Sequence, residues 1–460
     1  MTKKVYAPCL ILLLSAVCLT SFASAQTTWW KTYGGPDADM GYSARQTTDD
    51  GYIVTGWTQS FHAGVILIKT DSRGETLWVR TYGGLWPAEG YSVRQTTDGG
   101  YIVAGRCTDV VGMDVFDYAC LVKTTAQGDT LWTRTYGGLS PADGSAGYSV
   151  QQTADSGYII AGGIDNDAYL VKTDSHGDTL WTKTYGGTER DVGYSVQQTA
   201  DGGYVVAGQT GSFGAGGYDA YLIKTNASGD TLWTRTYGGT GDDCINSTQQ
   251  TTDGGYIATG YTMSFGEGGA AYLIKTDAQG DTQWTRTYGC PSTGSSVQQT
   301  ADGGYVIAGG QGNDGCLIKT DARGHTLWTR TYGWTEDIEA KSVQQTADGG
   351  YVIAGSLGYP TGDIDVCLIK TDANGSVREP VLQLSANLST QLQTQPNPFT
   401  SVARVPGHEN EFFALSDVTG RRVAICKGDR IGEGLRPGVY FLSPVDTKVG
   451  KAVTIIKAAH

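Results

Sequence analysis

Acidic side chains in loops are the first groups of this chain that could carry chemistry. They lie in segments of variable length, at Asp37, Asp39, Glu189, Asp191, Asp242, Asp243, Glu336 and Asp337. None follows the ligand spacing of an EF-hand, although carboxylate oxygens are ligands that calcium accepts. A carboxylate pair about 5 to 9.5 Å apart could instead serve glycoside hydrolysis. The residues therefore predict no cofactor except calcium at one of these loops, with a polysaccharide hydrolase or lyase as the enzymatic alternative.

Large aromatic side chains occur in the same kind of loop. They are Trp57, Phe61, Trp86, Phe213, Phe265 and Trp334. Exposed aromatic rings beside carboxylates are suited to stacking on sugars or to burial against a protein partner. We therefore predict these six residues as candidates for binding a glycan or a protein ligand.

The other reactive residue types form no catalytic constellation. The five histidines have no metal-ligand spacing from another His or Cys. The sequence lacks a Gly-x-Ser-x-Gly elbow, a His-Glu-x-x-His motif and a phosphate loop. Lys and Arg recur at two fixed places in every repeat, whereas a catalytic group is needed once. No catalytic residue is predicted, and a binding or structural role is favoured over an enzyme.

The cysteines allow two interpretations. Cys120, Cys316 and Cys367 stand where other repeats carry a tyrosine, which is typical of a small buried thiol. Cys107 and Cys120, however, flank one loop on neighbouring strands and could pair in an oxidising compartment. Both interpretations of Cys120 stay open.

A sevenfold repeat must position all of these side chains. A tryptophan followed by Lys or Arg and then Thr-Tyr-Gly recurs every 44 to 54 residues. A period near 50 indicates a propeller or a solenoid. We predict that these tryptophans dock successive repeats, at Trp29, Trp78, Trp132, Trp181, Trp233, Trp284 and Trp328.

Each repeat reads as four short strands separated by Asp-Gly turns. The second and third strands are continuously apolar, so both faces of each sheet must be covered. Only six repeats carry their own fourth strand, and the seventh copy lies at the N-terminus, at 28–33. The predicted fold is therefore an all-β, seven-bladed propeller whose N-terminal strand closes the last blade. The loops that vary in length share one face of the ring, where binding usually resides.

The start of the chain and its charge bear on location. A basic start, an apolar run and the sequence Ala23-Ser24-Ala25 predict a signal peptide cleaved between Ala25 and Gln26. No later segment has the roughly 20 apolar residues that a membrane helix needs. With 33 basic and 46 acidic side chains the net charge is −13, which argues against nucleic-acid partners. We expect a protein that is secreted or held at the outer cell surface.

The repeats resemble the seven-bladed β-propeller repeat families of secreted bacterial proteins. The matching features are Thr-Tyr-Gly-Gly before an acidic glycine-rich stretch (239–243), the Asp-Gly-Gly-Tyr turn, and Asp-Ala-Tyr-Leu-Ile-Lys-Thr. The resemblance implies the fold and hardly any activity. The Asp-x-x-Gly-x-x-x-Trp turn is also similar to the tryptophan-docking repeats of quinoprotein dehydrogenases, which leaves such an enzyme as a remote alternative.

Three further segments lie in order near the C-terminus. Their characteristic residues are Pro396, Asn397, Pro398, Phe399, Gly420, Gly438 and Tyr440. In order and spacing these segments resemble the sorting domain of the type IX secretion system, a small β-sandwich that implies the outer-membrane translocon as a partner. The predicted organisation is a signal peptide (1–25), the propeller (26–377), a linker (378–395) and a sorting domain (396–460).

Overall fold

The structure is a computed structural model that divides into two units, Met1–Pro380 and Val381–His460, and every helix or strand element described in them is a β-strand. It describes residues 28–61, 63–83, 88–111, 114–137, 145–266, 269–289, 292–311, 314–333, 337–359 and 363–377 of the first unit. In the second unit it describes 403–405, 412–416, 422–427, 429–431, 435–444 and 453–457. The described residues contain no helix long and apolar enough to cross a membrane.

The first unit consists of seven antiparallel sheets of four strands each. Blade 1 contains β2 (Asp39–Gln46), β3 (Tyr52–Thr58), β4 (Gly64–Thr70) and β5 (Thr76–Tyr82). Blade 2 contains β6 (Ala88–Gln95), β7 (Tyr101–Val111), β8 (Asp114–Thr124) and β9 (Thr130–Tyr136). Blade 3 contains β10 (Ala146–Gln152), β11 (Tyr158–Ile164), β12 (Asp167–Thr173) and β13 (Thr179–Tyr185). Blade 4 contains β14 (Asp191–Gln198), β15 (Tyr204–Thr210), β16 (Asp219–Thr225) and β17 (Thr231–Tyr237).

The remaining blades follow the same order until the last strand. Blade 5 contains β18 (Asp243–Gln250), β19 (Tyr256–Thr262), β20 (Ala270–Thr276) and β21 (Thr282–Tyr288). Blade 6 contains β22 (Thr293–Gln299), β23 (Tyr305–Gln311), β24 (Asp314–Thr320) and β25 (Thr326–Tyr332). Blade 7 contains β26 (Asp337–Gln345), β27 (Tyr351–Gly358), β28 (Ile364–Thr371) and the N-terminal strand β1 (Trp29–Tyr33). The predicted seven-bladed propeller and its closing strand are therefore confirmed.

The closing strand pairs antiparallel with β28, from Trp29 opposite Lys370 to Tyr33 opposite Val366. The first strand of each blade contacts the first strands of both neighbouring blades, and β26 contacts β2. We call these seven strands, β2, β6, β10, β14, β18, β22 and β26, the inner strands because they surround the central channel. Closure covers the edge of β28, whose unpaired N–H and C=O groups would otherwise be a site of aggregation, and gives blade 7 the same four strands as the other blades.

Local sequence explains the turns and the burial of each blade. Five of the turns between the first two strands place a glycine at φ 82° to 83°, and Asp50 and Ser156 occupy this position at φ 62° and 67°. The second and third strands are almost entirely buried, as in β16 and β20. Their apolar side chains form clusters that span two blades, because both sheet faces pack against neighbours.

Tryptophan docking joins successive blades. Trp233 of blade 4 meets Tyr256 of blade 5 edge-on, with ring centroids 5.8 Å apart. The same tryptophan covers Gly280, where a Cβ would lie 2.7 Å from the indole. Tyr237 donates a hydrogen bond from its hydroxyl to the Gly280 carbonyl at 2.7 Å. Equivalent contacts join every pair of blades, including Trp29 with Tyr52 across the closure.

A ring of glutamine side chains adds a second set of contacts between blades. The glutamine that ends each inner strand accepts a hydrogen bond at 2.9 Å from a backbone N–H in the first turn of the preceding blade. Gln46 of blade 1, for instance, accepts from Ala347 of blade 7. All seven interfaces carry this bond, so the closure is built like the other six.

A buried lysine supports the first turn of every blade. Lys224 is 4% exposed, and its Nζ contacts Asp201 at 2.9 Å and the carbonyl of Thr225 at 2.8 Å. The other blades repeat the pair, as Lys69–Asp49, Lys123–Asp98, Lys172–Asp155, Lys275–Asp253, Lys319–Asp302 and Lys370–Asp348. These recurring cations therefore hold the scaffold together.

The turn aspartates predict a loss of stability in acid. Burial opposes their ionisation, but hydrogen bonds from the lysine, a threonine and a backbone N–H outweigh it and lower the pKa of Asp98, Asp155 and Asp201 to about 2. A lowered folded-state pKa contributes stability above the unfolded pKa of about 3.9, and this is lost as the pH falls toward 2. Because these carboxylates are about half exposed, each should contribute under about 1 kcal/mol.

The measurement is the urea midpoint at pH 5, 4, 3 and 2.5, which we expect to fall steeply below pH 4. Asp201→Asn should lower the urea midpoint at pH 5. It should also reduce the fall of the midpoint between pH 5 and pH 2.5 by about one seventh, because one of the seven lysine–aspartate pairs is removed. A midpoint that is the same at pH 5 and pH 2.5 would contradict the assigned role of these pairs.

The structure distinguishes between the two interpretations of the cysteines. Cys107 and Cys120 form a disulfide with Cα atoms 5.9 Å apart, across the long hairpin of β7 and β8. Cys316 is also disulfide-bonded. Cys367 is a buried free thiol, and burial raises its pKa. The interpretation as a buried thiol is therefore wrong for Cys120 and Cys316; for Cys120 the observed state is the alternative, a disulfide with Cys107, which lies diagonally opposite it on the hairpin.

The second unit contains a four-stranded antiparallel sheet. Its strands are β29 (Phe412–Ser416), β30 (Arg422–Lys427), β31 (Gly438–Pro444) and β32 (Val453–Lys457), in the spatial order β30-β29-β31-β32. Phe413, Leu415 and Leu442 are buried in its core with Ala403, Val405 and Ile431. Gly438 begins β31, and the Tyr440 hydroxyl donates to the Arg436 carbonyl at 2.9 Å. Pro396, Asn397, Pro398, Phe399 and Gly420 lie outside the described residues, as do Ala25, Gln26 and the linker.

Candidate ligand-binding site

The central channel is lined by one side chain from the same position of every inner strand. In blades 1 to 4 this residue is a tyrosine, namely Tyr42, Tyr91, Tyr148 and Tyr194. In blades 5 to 7 it is Asn246, Ser295 and Lys341. The channel is therefore chemically asymmetric, although the backbone around it repeats sevenfold.

The four tyrosines form a continuous arc. Neighbouring ring centroids are 5.4, 5.2 and 5.2 Å apart, with the rings tilted against each other. Burial and the nearby carboxylates of Glu89 and Glu339 raise the pKa of Tyr42 to about 12. Burial and a hydrogen bond to Glu89 at 2.7 Å likewise raise the pKa of Tyr91. The arc therefore presents neutral hydroxyls and ring faces at neutral pH.

A cavity of about 750 Å³ opens at the mouth of the channel on the side of blades 5 to 7. Tyr148 and Tyr194 line one side of it, and Asn246, Ser295 and Lys341 line the side where the arc is interrupted. A volume of this order accommodates a small molecule or a few sugar units. Aromatic faces opposite amide, hydroxyl and ammonium groups suit a polar, hydroxyl-rich ligand.

Two carboxylates near the mouth are engaged in ion pairs, whereas Asp337 and Asp363, which line the cavity, form no ion pair with a described residue. Glu89 contacts the guanidinium of Arg106 at 2.7 Å while it accepts from Tyr91. Glu339 pairs with the ammonium group of Lys341. The mouth therefore carries both ion-paired and unpaired carboxylates among its described residues.

The aromatic residues predicted from the loops lie elsewhere. Phe61, Phe213 and Phe265 occupy equivalent positions in blades 1, 4 and 5, and are 37%, 48% and 43% exposed. Each packs beside a glycine of the preceding loop; Cζ of Phe213 is 3.4 Å from where a Cβ of Gly187 would stand. Trp57 is half-buried in β3. None of these four lines the channel cavities, and Trp86 and Trp334 lie outside the described residues.

Sequence reasoning missed the channel residues because it treated repetition as scaffold. The sequence does mark these residues, because they differ between repeats at positions that are otherwise constant. The glutamine pair that ends the inner strands of blades 3, 4, 5, 6 and 7 becomes Arg-Gln in blades 1 and 2, which places Arg45 and Arg94 in the channel. The tyrosines likewise occupy a position that differs in blades 5 to 7.

Buried aspartates come in pairs between the loops of neighbouring blades. Asp191 is fully buried, and its Oδ2 accepts from the Gly187 N–H at 3.0 Å and the Ser212 hydroxyl at 2.7 Å. Its Oδ1 has no hydrogen-bond partner among the described residues. Burial, the charge of Asp191 and the charge of Asp165 raise the pKa of the neighbouring Asp167. Ionisation of Asp167 is thus opposed in the folded protein.

Replacing Asp167 with asparagine should stabilise the protein at neutral pH by about 0.5–1 kcal/mol. A raised folded-state pKa means that the stability present below the unfolded pKa is lost as the pH rises through the folded pKa, and asparagine removes this loss. The unfolding midpoint of Asp167→Asn and wild type should converge below pH 4. Asp114→Asn, on an exposed hairpin, serves as the charge-matched control. An equal gain in both variants, or a gain that persists at pH 3.5, would contradict the explanation.

Calcium stays a prediction. Among the described residues no group of three or more His, Cys, Asp or Glu side chains is arranged to hold a metal ion. The acidic loops contribute carboxylates in pairs, as at Asp167 and Asp191.

Comparisons with known proteins do not identify a function for this chain. No protein-family model matches the chain. No curated protein matches it either.

Several solved structures are similar to this chain at low identity. A protein of unknown function from Bacteroides caccae shares 14% identity over 64% of this chain and 94% of its own, with a TM-score of 0.39. A streptogramin B lyase shares 11% over 74% and 98%, with a TM-score of 0.44. Sqt1 from Chaetomium thermophilum shares 9% over 75% and 100%, with a TM-score of 0.46. Similarity at this level supports no statement about what this chain binds or catalyses.

Proposed function

We propose that this chain is an exported, non-catalytic propeller that binds a glycan at the mouth of its central channel. The observation that carries the proposal is the cavity of about 750 Å³, in which tyrosine faces oppose Asn246, Ser295 and Lys341. Sugars are bound by aromatic faces together with hydrogen-bonding side chains, and both are in place here. Glu339, one of the carboxylates that line this cavity, is ion-paired with Lys341, which favours binding over hydrolysis at this side chain.

A glycan array probed with the purified protein tests this function. We expect Tyr148→Ala and Asn246→Ala each to weaken binding of a hit at least tenfold, because both remove contacts inside the cavity. Phe213→Ala is the matched control, since its ring is exposed in the loops but does not line the cavity. Loss of binding in Phe213→Ala alone would place the site in the loops instead.

Two outcomes would overturn the proposal. Release of shorter sugars from a bound glycan would show an enzyme, and Glu339→Gln would then test whether the mouth carboxylates take part. Absence of binding to every glycan would leave a protein ligand or a structural role.

The route of export is part of the same proposal. The signal-like N-terminus and the three C-terminal segments support transport across the inner membrane, followed by recognition by the type IX translocon. A bacterium with this system should place the full chain on its surface or in the medium. A chain ending at residue 395 should stay in the periplasm, and equal export of both chains would contradict the assignment.

A further inference from the structure

A narrower cavity of about 340 Å³ lies within the channel, and its wall contains a second ring of seven equivalent side chains. Three residues after the tyrosine position, each inner strand points one long polar side chain into this space. In blades 3 to 7 it is glutamine, at Gln151, Gln197, Gln249, Gln298 and Gln344. In blades 1 and 2 it is arginine, at Arg45 and Arg94.

The five glutamines have their acceptor atoms engaged. The Oε1 of Gln344 accepts the backbone N–H of Gln46 in the next blade at 2.8 Å. The other four make the same bond at 2.6 to 2.7 Å. Since the carbonyl oxygen of an amide must face the N–H, its NH₂ group must face away from it. These five side chains therefore offer the channel donors, and no described residue accepts from them.

The two arginines have no anionic partner among the described residues. The guanidinium of Arg45 donates from Nη1 to the carbonyl of Ala44 at 3.0 Å, and Arg94 donates to that of Val93 at 3.3 Å. Neither forms an ion pair with a described carboxylate, although the protein carries 46 acidic residues. Burial, and then the charge of Arg94, lowers the pKa of Arg45. Two adjacent cations in a confined space repel each other unless an anion lies between them.

Arginine at positions 45 and 94, in place of the glutamine of the other blades, also means that two hydrogen bonds between blades are not formed. A glutamine at either position would accept the N–H of Gln95 or of Gln152, as its five counterparts do at their interfaces. The scaffold thus has no structural need for the arginines, and their presence lowers the number of bonds that hold blades 1, 2 and 3 together.

We propose that the narrow part of the channel is an oxyanion site, in which the guanidinium groups of Arg45 and Arg94 bind a carboxylate, sulfate or phosphate group. Arginine presents several donors in one plane that match such oxygens. The glutamine NH₂ groups complete a wall of donors around it. The two cavities share Tyr148, Tyr194, Asn246, Ser295 and Lys341 in their lining, but Arg45, Arg94 and the five glutamines line only the narrow one.

The test compares the response to anions in the wild type and in Arg45→Gln/Arg94→Gln. Unfolding temperature and calorimetric heats are measured with sodium sulfate, sodium phosphate or sodium glucuronate, at an ionic strength held constant with sodium chloride. The wild type should show a midpoint that rises with anion concentration, and saturable heats. The double variant should show neither, while unfolding at the same or a higher temperature without anion, because it regains two glutamine contacts.

Arg73→Gln/Arg323→Gln is the control with the same change of charge, at exposed turns that do not line the channel. It should respond to anions like the wild type. Saturation by sulfate or phosphate would identify a free inorganic ion, whereas a response to glucuronate alone would identify the carboxylate of an organic ligand. An equal response in both double variants, or no response of the wild type to any of the three anions at 10 mM, would overturn the proposal.

Discussion

Removing residues 1–33 should abolish the cooperative unfolding transition of the propeller. The deletion takes away β1, whose five residues pair with β28. It also removes Trp29, which packs on Tyr52 and donates from its indole nitrogen to the Ser72 carbonyl at 3.1 Å. The bond of 2.8 Å from the Tyr33 hydroxyl to the Gly74 carbonyl is lost as well. Blade 7 would then expose an edge, and its interface with blade 1 would open.

The expected effect is large because several contacts fail together. Loss of a buried tryptophan costs about 3–5 kcal/mol. Loss of each ladder hydrogen bond adds about 0.5–1.5 kcal/mol. The sum approaches the whole stability of a typical domain, about 5–15 kcal/mol.

Calorimetry and size-exclusion chromatography of the deletion variant check this result, with a chain that begins at residue 26 as the control. A synthetic peptide of residues 26–38 added in trans should restore part of the transition, because it supplies the missing strand. A deletion variant that melts at the temperature of the control would show that β1 does not close the ring.

Trp233→Ala should lower the free energy of unfolding by about 3–4 kcal/mol. The indole contacts Tyr256 and Gly280 of blade 5, and the guanidinium of Arg235 lies 5.7 Å from its ring centroid. Alanine would leave a space between two blades that the stiff turn at Gly280 cannot fill. Leu232→Ala is a close control, since Leu232 is the adjacent residue and is 58% exposed.

Chemical denaturation of the two variants gives the comparison directly. We expect Leu232→Ala to change stability by less than about 0.5 kcal/mol. Equal losses in the two variants would mean that the tryptophan acts through its own strand rather than through the neighbouring blade.

The propeller fold was predictable from the sequence because residues that recur in every repeat are those that each blade needs for its structure. Trp29 without a preceding repeat, and the absence of a tryptophan after Lys370, together required the N-terminal strand to complete blade 7. The recurring lysines and the docking tryptophans were also assigned to structure, and the contacts of Lys224 and Trp233 explain why every blade needs them.

The channel site was not predictable in the same way. Tyr91 and Arg94 lie in a segment whose sequence resembles that of every other repeat. They form a site only because they face the equivalent residues of six other blades around the channel. These residues come together only when the ring has closed. Conversely, Phe61, Phe213 and Phe265 share a sequence pattern, but each lies on its own blade and packs against its own glycine.

The pairing of the first strand with the last also determines when β1 can complete its fold during synthesis. About 340 residues separate Trp29 from Lys370, so at a synthesis rate of about 5–20 residues per second the strand made first waits roughly 17 to 70 s for its partner. During that interval the Trp29 indole can already contact Tyr52 of blade 1, but the backbone of β1 has no strand to pair with, and six complete blades can form before β28 is made. The earliest segment of the propeller to leave the ribosome is thus among the last to complete its backbone hydrogen bonds.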